Sequence, residues 1–162
     1  MKKQTNTSRL TRGAMIGAIY VALTFIANAF GLASGAIQVR LSEALCVLPA
    51  FFPEAIPGLW LGCFIANLLT GCMPMDILFG SLATLIGAYG TMKLKNRPYL
   101  LYLPPIISNA VIVPFVLKFT YGIGDAWWYL AVTVAIGEII SCGLLGSLLV
   151  KFINKHKITQ KM

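Results

Sequence analysis

Charge is what this sequence has least of: 11% of its 162 residues are Asp, Glu, Lys or Arg, under half of the roughly 25% usual in soluble domains. With 58% hydrophobic residues and a mean hydropathy of +0.81, that scarcity excludes a disordered tail and a water-exposed globular domain. The five acidic residues stand singly along the chain, so no cluster of carboxylates is available for a metal or for paired acid and base work. The single histidine, His156, lies in a basic tail, which removes imidazole from chemistry inside a membrane. No GxxxxGK[ST] phosphate loop is present, so the chain lacks the usual means of hydrolysing ATP. Cys46, Cys63, Cys72 and Cys142 show no CxxC or Cys/His spacing, which argues against a zinc site or a disulfide framework. We therefore expect no catalytic residues, no metal and no cofactor. The net charge of +8 does not point to nucleic acid, because the charges sit at the ends of apolar segments.

What is there is membrane-spanning sequence. A crossing takes about 20 mostly apolar residues, and charge-free runs of that length separate Arg12 from Arg40, Glu54 from Asp76, Asp76 from Lys93, and Arg97 from Lys118. A last run from Asp125 to Lys151 is interrupted by Glu138 alone. The stretch 41–52 is apolar but short, carries Glu43, and is broken by Pro49, with Pro53 just beyond it. Basic residues cluster before the first run (Lys2, Lys3, Arg9, Arg12), in the middle (Lys93, Lys95, Arg97) and in the tail (Lys151, Lys155, Lys157, Lys161). If all three clusters face the cytoplasm, as short basic segments do, four crossings precede Lys93 and two follow it.

The expectation is one all-α integral membrane domain over 1–162, multi-pass in the cell membrane, with both termini cytoplasmic. Its six helices would lie at about 13–34, 41–52, 55–71, 76–92, 98–118 and 126–151. The short second one would sit inside the bundle, where neighbours satisfy its broken backbone. The first 12 residues read as a retained tail rather than a secretory signal.

Small residues mark the first segment. Gly13, Ala14, Gly17, Ala18 and Ala22 form two overlapping small-xxx-small patterns, with Ala14, Ala18 and Ala22 on one face. In lipid such a face gains nothing from hydrophobicity, but it allows close helix approach. Two readings stay open: packing within the chain, or docking of another protein.

Residues 38–88 carry a resemblance. QVRLSEALCVLPAFFPEAIPGLWLGCFIANLL, then MDILFGSLATLIGA, resembles the queuosine-precursor (QueT-type) S components of energy-coupling factor transporters. Its most specific parts are Arg40-Leu41-Ser42-Glu43-Ala44, the run from Pro53 to Gly58, and Asp76-Ile77 with Gly80 and Thr84. The resemblance implies a six-helix subunit that binds one vitamin-like molecule at its outer face. Energy would come from a separate module of one transmembrane coupling subunit and two ATPase subunits, and transport would involve toppling in the membrane. It also implies that Ala14, Ala18 and Ala22 are the docking surface for the coupling subunit.

An ionisable residue at bilayer depth is a functional candidate in its own right, and Glu138 is the clearest, roughly 20 Å along the last segment at 1.5 Å per residue. Asn109 lies roughly 13 Å in from Lys118 by the same rise, so the two can face one cavity. The ligand implied by the resemblance is a 7-deazaguanine, the 7-cyano or 7-aminomethyl compound or queuine, whose paired donor edge suits a carboxylate. Glu43 or Asp76 would meet an aminomethyl group, although Glu43 and Arg40, three residues apart, can also pair with each other. Asn67 is a weaker candidate of the same kind. Trp127 and Trp128 offer a stacking surface or simply an interfacial belt. Glu54 is expected at the cytoplasmic end, holding a turn or touching a partner. The alternatives are the same fold for another small vitamin, an integral membrane enzyme, and a membrane homodimer built on the Ala14 stripe.

Overall fold

The computed structural model describes residues 6–32 and 38–156. The elements are α1 (Asn6–Ala29), a 3₁₀ segment (Leu41–Ala50), α2 (Ala55–Leu69), α3 (Pro74–Lys93), α4 (Leu103–Phe119) and α5 (Trp127–Glu138), which continues through a π-helical stretch (Ile139–Leu145) into α6 (Gly146–Lys155). No strand occurs among the described residues. Three rods are long and apolar enough to cross a membrane, Asn6–Ala29, Pro74–Lys93 and Trp127–Lys155, while the remaining helices have 10–17 residues.

Helix ends differ from the expected spans because charge limits a membrane crossing, not a helix. The first helix starts at Asn6 rather than 13, carrying Arg9 and Arg12 in its opening turns. It ends at Ala29, and positions 33 and 34 of the expected span lie outside the described residues, as do the terminal lysines Lys2, Lys3, Lys157 and Lys161. The fifth segment starts at Leu103 rather than 98, with proline in its first turn, where a missing N–H costs nothing. The chain reverses at Gly71 after α2 and at Gly122 after α4, whose φ of 75° and 65° suit glycine.

Glycine also sets how α1 and α2 pack. A Cβ on Gly17 would stand 2.8 Å from the Gly58 carbonyl oxygen, and one on Gly62 would stand 2.8 Å from the Gly17 carbonyl oxygen. Gly13 meets the Glu54 carbonyl in the same way, so the helices run parallel with their backbones in contact. The two small-residue patterns of α1 thus divide. Gly13 and Gly17 are buried against α2, and Ala14, Ala18 and Ala22 are exposed on the open face beside that contact.

The 3₁₀ segment lies at the centre, packed on α1, α2, α3, the π stretch and α6. Ser42, Glu43 and Leu45 to Pro49 are buried. Ten residues is long for 3₁₀ geometry, which ordinarily fails after a turn or so; burial among five neighbouring elements holds it. Its apolar side chains join Tyr20, Leu59, Cys63 and Cys142 in the core. The outer surface is apolar as well, with Met15, Phe25, Leu68, Ile86, Ile107, Val132 and Leu148 exposed. In water that would be an aggregating surface; against acyl chains it has no such penalty.

Candidate functional site

Polar side chains converge at the end of the bundle where α1, α2 and α4 finish and α3 begins. They line a cavity of about 250 Å³. Thr24 and Asn28 enter from α1, Gln38 and Arg40 from the chain leading into the 3₁₀ segment and Ser42 from its first turn, Asn67 and the capping Thr70 from the end of α2, Asp76 from α3, and Tyr121 from the loop after α4. Arg40, Asn67 and Asp76, all expected site residues, therefore share one wall.

Asp76 occupies the first turn of α3 and is 5% exposed. Its Oδ2 accepts a hydrogen bond from the Tyr121 hydroxyl at 3.1 Å, and that hydroxyl accepts one from the Met73 N–H at 3.2 Å. Burial pushes the Tyr121 hydroxyl up to about 12, so it remains a donor at neutral pH. Oδ1 of Asp76 is buried without a hydrogen-bond partner. Gly80, one turn further on, keeps the space beside it: a Cβ there would stand 3.1 Å from both Asp76 Oδ1 and Asn67 Nδ2.

Behind this wall lies a second, deeper set of polar groups. Glu43 is fully buried and accepts from the Tyr20 hydroxyl on one oxygen and from the Cys46 thiol, at 3.0 Å, on the other. Both oxygens being engaged, Glu43 acts as a structural acceptor. Glu138 and Asn109 face each other, at 6% and 2% exposure, yet Glu138 Oε2 and Asn109 Nδ2 have no hydrogen-bond partner, and neither has Ser141 Oγ one turn along. A buried polar atom left in this state costs roughly 1–3 kcal/mol. Neither Glu138 nor Asn109 lines the cavity itself. Arg40 links the two tiers electrostatically, being attracted to Asp76 and Glu43 and acting on Glu138. The ion pairs among the described residues are Arg9 and Arg12 with Glu54, so Arg40 and Glu43 do not close the contact that their spacing allows.

Trp127 and Trp128 stand apart from the cavity. Trp128 is 67% exposed, and the Trp127 ring lies against Phe115 at 5.5 Å between centroids, an outward arrangement that suits an interfacial belt. At the opposite end Glu54 joins α1 to the start of α2 through Arg12, whose guanidinium also lies over the Phe52 ring at 4.9 Å. Between these ends, on the open face of α1 and α2, runs an apolar groove of about 910 Å³ lined by Ala14, Ala18, Leu61 and Ile65 among others.

The sequence profile of the QueT transporter family matches residues 10–155, nearly the whole chain. The chain belongs to the QueT transporter family. Among curated proteins, one named Queuosine precursor transporter QueT, from Lactococcus lactis subsp. cremoris (strain MG1363), is 32% identical over 84 residues. That stretch is 52% of this chain and 49% of the relative, so the match spans about half of each. No solved structure matches. Membership of the QueT transporter family agrees with the expectation of a transport protein rather than an enzyme.

Sequence reasoning missed part of what this QueT-family chain places at the site. In sequence Tyr20 reads as a packing or interface residue, whereas its hydroxyl holds Glu43, and Thr24 and Asn28 carry no motif of their own although they line the cavity. The signal is present: Tyr20, Thr24 and Asn28 recur at i, i+4 and i+8, a polar stripe along an apolar helix.

Proposed function

We propose that the protein is the substrate-binding S component of an energy-coupling factor importer for a queuosine precursor, a 7-deazaguanine held in the cavity beside Arg40, Asn67 and Asp76. The observation that carries this reading is a compact cavity lined by polar side chains, with an unsatisfied carboxylate oxygen of Asp76 at its edge. Its volume falls just below the roughly 300–1,000 Å³ of drug-sized ligand sites, which suits one bicyclic base with a short substituent. The amides of Asn28, Gln38 and Asn67 each offer donor and acceptor, matching an edge that presents N–H groups beside a carbonyl. Arg40 can donate to that carbonyl. Glu43, Asn109 and Glu138 act from behind, fixing Arg40 and the field at the wall. Trp127 and Trp128 belong to the membrane interface around the site.

The same reading has six helical segments across the cell membrane, the 3₁₀ segment among them as an interior crossing, with both termini and the Lys93, Lys95 and Arg97 loop in the cytoplasm. The cavity then opens outward. In this reading the energy comes from a transmembrane coupling subunit and two ATPase subunits, and the exposed face of Ala14, Ala18 and Ala22, with the groove that Ala14 and Ala18 line, receives the coupling subunit. Calorimetric titration of the purified chain with 7-deazaguanines, guanine and unrelated vitamins is the direct test. Binding confined to the 7-deazaguanines supports the assignment; tight binding of an unrelated vitamin with no response to any 7-deazaguanine overturns it.

A further inference from the structure

The chemistry of the cavity goes further than the ligand's ring system. Three carboxylates, Asp76, Glu43 and Glu138, are buried around a single guanidinium, Arg40, and no other cation is among the residues lining the cavity. Glu43 accepts on both oxygens, as an ionised carboxylate does. If Glu138 is protonated, Glu43 and Asp76 still outweigh Arg40 by one negative charge; if it is ionised, the excess is larger. An uncompensated charge in a medium that water does not screen is costly. The excess also has a definite location. Asp76 Oδ2 is held by Tyr121, while Oδ1, with the space that Gly80 preserves beside it, has no donor.

Resting on the reading above, we propose that the site selects a 7-deazaguanine carrying a protonated 7-aminomethyl group over its 7-cyano analogue, with Asp76 as the partner of the ammonium. An ammonium brings three donors and one positive charge, so it satisfies Oδ1 and cancels the excess together. A nitrile is uncharged and only accepts hydrogen bonds. Set against Asp76 it would place acceptor against acceptor and leave both charge and oxygen as they were. Asp76 is thus a specificity-determining residue, and the cavity amides serve the ring edge common to both compounds.

The experiment is a calorimetric titration of the full-length purified chain with 7-aminomethyl-, 7-hydroxymethyl- and 7-cyano-7-deazaguanine at neutral pH. The aminomethyl compound is expected to bind at least roughly tenfold more tightly than either neutral compound, the scale of one charge-assisted contact. In Asp76→Asn that preference is expected to collapse to within about threefold. Equal affinities in the unsubstituted protein overturn the inference and leave the 7-deazaguanine assignment standing. Failure of all three to bind overturns that assignment itself. A preference that survives Asp76→Asn removes Asp76 from the role. The hydroxymethyl arm, matched in size and lacking the charge, decides the matter even if Asp76→Asn does not fold.

Discussion

Replacing Gly17 by valine tests the packing on which the site depends. A Cβ at that position meets only backbone, the Gly58 carbonyl oxygen at 2.8 Å, its carbon at 3.6 Å and its Cα at 3.8 Å, so no side chain can rotate out of the way. Restoring an ordinary C···O approach of about 3.3–3.6 Å requires α1 and α2 to part by at least about 0.5 Å. The two γ-methyls of valine enlarge that displacement. It also passes to the site, because Gly62 packs so closely on Tyr20 that a Cβ on Gly62 would stand 3.0 Å from the Tyr20 Cβ, and Tyr20 holds Glu43. Overpacking of this kind costs roughly 1–3 kcal/mol, sometimes more, and each kcal/mol lowers Tm by about 2–4 °C at this chain length. A fall of about 2–12 °C is expected. The assay is thermal unfolding in detergent followed by a thiol-reactive dye, since Cys46, Cys63 and Cys142 are buried and become reactive on unfolding. Ala18→Val, one residue along on the open face, should stay within about 2 °C, because exposed substitutions seldom exceed roughly 0.5 kcal/mol. Equal losses in the two variants, or no loss in Gly17→Val, would refute the division of α1 into a packed and an open face.

The open face carries its own expectation: Ala18→Leu retains ligand binding by the isolated chain yet abolishes uptake in cells containing the coupling module, and loss of binding would instead assign the residue to internal packing. Glu138→Gln, which replaces the buried carboxyl facing Asn109, should weaken 7-deazaguanine affinity by roughly tenfold or more in titration calorimetry; unchanged affinity would mean that the deeper tier serves folding alone. Glu54→Gln is its counterpart at the far end, losing the contacts with Arg9 and Arg12 and hence up to about 2 °C in Tm, with ligand affinity unaltered. A cysteine placed at Lys95 in a cysteine-free background should be labelled only by reagents that reach the cytoplasm, and labelling from outside would overturn the orientation and the helix count.

Much of this protein is readable along the chain, because the bilayer imposes a one-dimensional rule. Charge-free runs mark where apolar helix lies, basic clusters mark one side, and a carboxylate such as Glu138 within an apolar run stands out without any knowledge of its neighbours. The motif around Arg40 and Glu43, with Asp76 and Gly80, was sufficient to suggest the family. What composition cannot encode is which faces turn inward. Gly13 and Ala14 are adjacent and both small, yet one lies against α2 and the other faces out, a choice made by the matching glycines at 58 and 62 in another helix. Glu43 and Asp76 look alike in sequence, but Tyr20 and Cys46 engage both oxygens of the first, while Tyr121, 45 residues away along the chain, engages only one of the second. Whether a buried carboxylate has both oxygens engaged or keeps one free depends on donors brought to it from distant segments, so the tertiary structure alone decides it.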